Sequence, residues 1–215
     1  MERYTNIVQP VKTRKQLAAE ETQRVIIEAA SRLFLERGYH ATSIGRIASE
    51  AGVAVQTIYN AVGSKGDLLS RVLDFAAAGE RSPVSTPQFM REQAEREPDP
   101  RRMIAQLIEF WRGALPRTAP VFRIIREAAA ADPEIAVLER RRAAQRLRNY
   151  RQAAQLLADR DALRPGMTID DAAAAIFAIG HPETYAALVL DGEWDDDAWA
   201  KWLQATLEAA LLGTA

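Results

Sequence analysis

The chain has 215 residues, of which 48% are hydrophobic and 27% charged, with a net charge of −1. This fits a globular protein of one or two domains and excludes collagen-like, mucin-like and disordered acidic chains. With 0 Cys and 2 His, it also excludes a disulfide framework, a thiolate metal site and a cysteine nucleophile, so no metal or cofactor is expected.

Charge is distributed unevenly. Residues 1–71 hold ten Lys/Arg against seven Asp/Glu, and the remainder holds 18 against 22. A basic front on an acidic body makes nucleic acid one candidate partner for the front. Met1 to Glu20 lacks an apolar signal region, and the Ala-rich run Ala172–Ile179 is too short to span a bilayer. The expectation is a cytoplasmic protein that does not engage a membrane.

Residues 1–19 read as a loose basic arm carrying Lys12, Arg14 and Lys15. From Glu21 to Arg37, Ile26, Ala29, Ala30, Leu33 and Phe34 recur at helical spacing, and Gly38 stands where a left-handed terminator is expected. Ser43–Glu50 reads as a short helix capped by Thr42 or Ser43. Ala51-Gly52-Val53 reads as a turn and Ala54–Ala61 as a second short helix. Ser64-Lys65-Gly66-Asp67 matches a capping box, and Leu68, Leu69, Val72, Leu73 and Phe75 follow it.

Gly79 to Pro100 contains Pro83, Pro87, Pro98 and Pro100 and marks the domain boundary, with a short helix expected at Gln88–Glu97. Beyond it, helices are expected over Asp99–Leu115, Ala119–Ala131, Pro133 to about Arg160, Thr168–Leu190 and Trp194–Leu212. No period-two alternation survives, so the expected fold is all-α. The expected domains are the arm 1–19, a compact helical unit 20–78 with its linking helix 64–78, and a larger helical domain 79–215.

Two short helices joined by a tight glycine turn form a helix-turn-helix. Gly52 supplies positive φ at little cost, and Ile47, Val53 and Ile58 can share the small core that sets the crossing angle. Val55, Gln56, Thr57, Tyr59 and Asn60 then occupy the open face of the second helix. Gln and Asn pair with adenine edges, Val and the Thr methyl suit a thymine methyl, and hydroxyls suit phosphates. Arg46, on the first helix of the motif, joins this set of candidate DNA contacts.

At Gly38-Tyr39, Thr42-Ser43-Ile44, Ile47-Ala48, Ala51-Gly52-Val53, Thr57-Ile58-Tyr59, Ser64-Lys65 and Leu68-Leu69 the chain resembles the TetR family of bacterial transcriptional regulators. The resemblance implies an N-terminal three-helix DNA-binding domain and a C-terminal domain for ligand binding and dimerisation. It also implies a repressor released from a palindromic double-stranded DNA operator by a small hydrophobic effector of unknown identity. By this resemblance Thr42 and Ser43 hold a phosphate at a helix N-terminus, Gln56, Thr57 and Asn60 face bases, and Tyr59 and Lys65 grip phosphates. Ala61 and Val62 depart from the aromatic residues common there. Gly45 replaces a position that sometimes carries a base-reading Arg, which leaves base readout to the second helix.

A ligand cavity is expected from Met103, Leu107, Phe110, Trp111, Phe122 and Tyr150. Arg140, Arg141, Arg142, Arg146, Arg148 and Arg151 read as a solvated helix paired with Glu127, Glu134 and Glu139. His181 reads as a hydrogen-bonded core or interface residue. Asp195 reads as a helix cap flanked by Trp194 and Trp199 at staple positions rather than as part of a metal site. A homodimer is expected through 168–190 and 195–212, using Trp199, Trp202, Leu203, Thr206, Leu207, Ala210 and Leu211 with Ala172–Ala175, Ile176, Ile179 and Ala186. No catalytic constellation is present. The competing readings are a DNA-binding protein without a ligand and, from another class, an enzyme built on the C-terminal pocket.

Overall fold

The computed structural model describes residues 13–79 and 98–213, together with Gln88 and Glu92. The elements are α1 (Arg14–Arg37), α2 (Ile44–Ala51), α3 (Val55–Ala61), α4 (Lys65–Ala78), α5 (Pro100–Ala129), α6 (Pro133–Ala158), α7 (Ile169–Ile179), α8 (Pro182–Tyr185, continuing as a wider π turn over Ala186–Leu190) and α9 (Asp196–Leu211). Among the described residues there is no strand, only an isolated bridge between Leu163 and Leu212.

Local chemistry sets most helix starts. Asp99 and Asp132 accept from the amides of Arg101 and Glu134, each at 3.0 Å, and each precedes a proline at the first helical position. Ser64 with Asp67 and Thr168 with Asp171 form reciprocal capping boxes, and Asp195 accepts from the Ala198 amide at 2.7 Å.

Several boundaries differ from the sequence reading. The basic arm is shorter than expected, because Thr13 and Gln16 form a capping box and α1 starts at Arg14. The rest of the arm and most of the expected helix Gln88–Glu97 lie outside the described residues. Gly38 has positive φ (75°) with extended ψ, so it ends α1 without the left-handed cap geometry. The helices expected at Asp99–Leu115 and Ala119–Ala131 are one, although Pro116 and Pro120 lie inside it. Each proline removes one backbone donor from the ladder, and the burial of Leu115, Ala119 and Val121 around them holds the stretch in place; Thr118 Oγ1 also donates to the Ala114 carbonyl at 3.0 Å.

The helix expected at Thr168–Leu190 is broken at Gly180-His181-Pro182. A Cβ on Gly180 would stand 2.3 Å from the Trp111 ring, so the close approach of the two requires glycine. By length and composition Ile169–Leu190 could cross a membrane, but it is interrupted by this break and packs against α6.

Two apolar cores result. One joins Ile26, Leu33 and Phe34 of α1 with Ile47, Ile58, Leu68, Leu69 and Val72, and it also takes in Val121, Ile125, Ile135 and Leu138 from the helical body. The other gathers Met103, Leu107, Trp111, Tyr150, Leu157, Ile176, Trp199, Leu203 and Leu207. The first core therefore crosses the expected domain boundary.

Gly180→Ala is expected to cost about 1–3 kcal/mol, because the Trp111 ring must move in a packed interior. Urea denaturation followed by tryptophan fluorescence checks this, and an unchanged midpoint would show that the ring can yield freely.

Candidate DNA-reading surface and ligand pocket

The helix-turn-helix is held by side chains that do not reach its surface. Gly52 adopts the left-handed conformation (φ 67°, ψ 30°) that turns the chain from α2 into α3. Ile47 and Ile58 are fully buried against each other's helices and α1, with Val53 partly buried beside them. Gln23 Nε2 donates to the Ala61 carbonyl at 2.8 Å and ties the end of α3 to α1.

Thr42 does not face outward as the sequence suggests. It is fully buried, and its hydroxyl faces the carbonyls of Gly38 at 2.9 Å and Leu33 at 3.1 Å. It is an internal staple between α1 and α2 and has no side-chain donor left for a phosphate. Ser43 is the actual N-cap, accepting from the Arg46 amide at 3.2 Å, and both residues are exposed.

Val55 (42% exposed), Gln56, Tyr59 (50% exposed) and Asn60 share the open face of α3, and Thr57 is half-buried beside them. Gln56 donates to Asn60 Oδ1 at 3.0 Å, which aligns the two carboxamides one helical turn apart. Lys65 is half-buried, its ammonium 4.0 Å from the centroid of the Tyr39 ring. Burial lowers its pKa, and Asp132 opposes that shift. The Tyr39 phenol is pushed up to about 12 by burial, with Asp132 and Glu134 adding to the effect.

The second feature is a partly open pocket of about 430 Å³ between α4, α5 and α6. Phe110, Trp111, Phe122 and Tyr150 line it as the sequence suggests. Met103 and Leu107 do not, because both point into the second core and are filled around by α9 and α6.

Sequence reading missed the α4 wall (Leu73, Asp74, Ala77) and the two arginines of α6. Arg142 and Arg146 are not on a solvated face. Arg142 Nη2 donates to Asp74 Oδ2 at 2.7 Å, to Ser70 Oγ at 2.6 Å and to the Ser70 carbonyl at 3.0 Å. Arg146 stacks on the rings of Phe122 and Phe177. The signal was present, since both arginines fall on the stripe set by Ile135, Leu138, Tyr150, Ala153 and Leu157, and polar residues at core spacing mark a site. Glu134 binds Ser64 Oγ (2.8 Å) rather than an α6 arginine, and Arg151 pairs with Asp170 at 2.6 Å.

His181 caps α8, its Nδ1 facing the Glu183 amide at 3.2 Å, and its Nε2 lies 3.1 Å from Arg146 Nη2. Asp195 caps α9 as expected, but Trp194 meets the edge of Trp202 while Trp199 meets Tyr185. Asp196 and Asp197 both pair with Arg112, at 2.6 and 2.7 Å.

A small helix-turn-helix with an exposed polar face, set on a helical body with its own pocket, is the architecture of the helix-turn-helix class of DNA-binding proteins. Residues 26–72 match the pattern of the family described as bacterial regulatory proteins, tetR family. That match covers the helix-turn-helix and the start of α4.

Over 50 residues the chain is 48% identical to the HTH-type transcriptional regulator HbdR of Aromatoleum sp. (strain CIB), covering 23% of this chain and 22% of that protein. Over 58 residues it is 40% identical to the HTH-type transcriptional regulator AcrR of Shigella flexneri, covering 27% of each. The chain thus spans about a quarter of the length of these relatives. The crystal structure of NalD, the secondary repressor of the MexAB-OprM multidrug efflux pump in Pseudomonas aeruginosa, is similar along most of the chain. It has a TM-score of 0.72 at 24% identity, covering 91% of this chain and 98% of that one, a likeness of fold.

Two outcomes follow. Thr42→Val is expected to lower stability by about 1–3 kcal/mol, because the buried Leu33 carbonyl and the half-buried Gly38 carbonyl lose the one hydroxyl proton they share, while leaving the salt dependence of DNA binding unchanged. Thermal unfolding and a salt titration check the two halves. The pKa of His181 is lowered from the usual 6.5, first by burial and then by Arg146, with Arg126 adding and Glu183 opposing. The unfolded chain therefore binds this proton more readily, so stability is lost as pH falls below about 6.5. Melting curves at pH 7 and pH 5.5 should show a smaller loss for His181→Asn, which keeps a capping side chain.

Proposed function

We propose that the protein is a ligand-responsive transcriptional repressor, cytoplasmic and homodimeric, that binds a pseudo-palindromic operator and leaves it when a small molecule fills the pocket. One observation carries this reading: α4 belongs to the core of the DNA-reading unit and also forms a wall of the pocket. Anything that changes the pocket's shape bears directly on the helix that positions α2 and α3. The cavity also favours this reading over a regulator whose body only dimerises. The relatives are transcriptional regulators, which speaks against an enzyme.

In this reading Gln56, Asn60 and Thr57 address base edges, with Val55 against a thymine methyl. Tyr59 and Lys65 take phosphates, Ser43 and Arg46 hold a further phosphate at the start of α2, and Lys65 is oriented by the Tyr39 ring. One short α3 is too small for tight binding. A two-fold dimer sets two of them roughly 34–36 Å apart, one turn of DNA.

The dimer surface needs revision from the sequence reading. Trp199, Leu203, Leu207, Leu211, Ala172, Ala173, Ile176 and Ala186 face the protomer's own core. The accessible part of the expected interface is Ala174, Ala175, Ile179, Trp202, Thr206 and Ala210, together with Ala178. The segment Ile169–Leu190 is strongly apolar, yet only 33% of its most apolar window is buried in the protomer. A second copy covering that face is the simplest remedy.

Fluorescence anisotropy on duplexes selected from a random pool tests the reading. Specific binding should weaken steeply with salt, and Gln56→Ala or Asn60→Ala should erode base preference by about 1–3 kcal/mol at the contacted position. Lys65→Ala should weaken all duplexes alike. Binding indifferent to sequence and salt would refute the proposal. Ala174→Glu with Ala178→Glu should give monomers in light scattering and lose operator affinity, and an unchanged dimer would move the interface elsewhere.

A further inference from the structure

Arg146 has no paired carboxylate, and Glu139 acts on it only at a distance. Among the described residues no carboxylate lies within ion-pairing distance of it; its contacts are two phenyl rings and His181. The guanidinium carbon sits 4.4 Å from the centroid of Phe122 and 5.3 Å from that of Phe177. Rings cover the faces of the group and leave its in-plane N–H donors to find acceptors. Nε is buried and has no partner.

Nη2 points at His181 Nε2, but the other nitrogen of that imidazole already faces the Glu183 amide. A neutral imidazole has one acceptor nitrogen and cannot serve both donors. The guanidinium is therefore fixed in place, half-desolvated and short of acceptors, on the wall of a cavity lined by Phe110, Trp111, Phe122 and Tyr150. Arg142, one turn earlier, differs, since Asp74 neutralises it within the same cavity. The pocket thus holds one uncompensated positive charge.

From this geometry we infer that the pocket takes an amphipathic organic anion, with a single carboxylate-like head on Arg146 and an apolar body against the aromatic wall. The inference rests on the proposed effector role of this cavity and specifies the effector's class. An anionic head accepts in-plane N–H bonds from the guanidinium and gives Nη2 an acceptor in place of the imidazole that already faces the Glu183 amide. A dianion would be disfavoured, because the second charge would meet Asp74 with Arg142 already committed.

A matched pair of fluorescent probes tests this on the full-length protein. Anilinonaphthalene sulfonate carries one negative charge, and phenylnaphthylamine has the same ring system without it. The native protein should bind the anion about tenfold to a hundredfold more tightly than the neutral probe. Arg146→Gln should abolish the preference while still binding the neutral probe, which also shows that the variant is folded, and Arg146→Lys should retain part of it.

Equal binding of both probes by the native protein, or a preference that survives Arg146→Gln, overturns the inference. Failure of both probes removes the cavity as a ligand site and the inference with it. Arg146-dependent capture of the anion with operator affinity unmoved leaves the ligand class standing and refutes release by the effector.

Discussion

Helix α4 has two sets of neighbours and cannot be moved without disturbing both. Leu68, Leu69 and Val72 are fully buried in a core shared by α1, α2 and α3 on one side and by α5 and α6 on the other. Each such side chain contributes roughly 1.5–3 kcal/mol when removed from water, so separating the reading unit from the body would cost several of these. The polar ties lie along the same seam. Ser64 meets Glu134 at the start of α4, Arg142 holds Ser70 and Asp74 at its middle, and Arg117 Nε donates to the Ala76 carbonyl near its end at 2.9 Å. A helix tied at its start, middle and end moves as a body, by sliding between packed arrangements rather than by bending away.

The parts of this design that are local in sequence are the parts that a sequence shows. The turn at Gly52, the Ser43 cap, the Ser64–Asp67 box and the Ile47–Ile58 core are each specified within a few residues, so the helix-turn-helix and its exposed face could be placed in advance. The pocket was only half legible. An apolar residue at helical spacing must be buried, but spacing alone does not say whether it meets a cavity or another helix. Phe110 and Trp111 therefore came out lining the pocket, while Met103 and Leu107 were taken up by the second core.

Long-range contacts account for the rest. Thr42 looks like a cap until its hydroxyl is seen to reach back to Leu33 and Gly38. Continuity through Pro116 and Pro120 depends on the burial of Leu115, Ala119 and Val121 against neighbouring helices, which holds the helix although two ladder bonds are missing. The break before Pro182 is local, since proline forces His181 into extended backbone, but the need for glycine at 180 is not: a tryptophan 69 positions earlier occupies the space of any side chain there. The arginines of α6 show a different limit. Charge suggests solvent, but their register places them with Leu138 and Tyr150.

That register bears on how a ligand could act at a distance. Arg142 and Arg146 are one turn apart on the same face of α6; the first clamps α4 and the second faces the cavity. A ligand shifts an equilibrium only by its difference in affinity for the two states, and effector coupling of this kind amounts to roughly 1–3 kcal/mol. A charge-assisted hydrogen bond contributes about 1.5–3 kcal/mol when desolvated. Asp74 is 60% exposed, so its bond to Arg142 falls toward the lower end of that range or below it, although Arg142 itself is only 16% exposed. The clamp is thus of the same order as the coupling that release requires. In the proposed response, a ligand that draws the α6 face toward its own head group weakens the middle one of the three polar ties of α4 and so biases that helix toward a different seat. Because α2 and α3 share a core with α4, they would follow it.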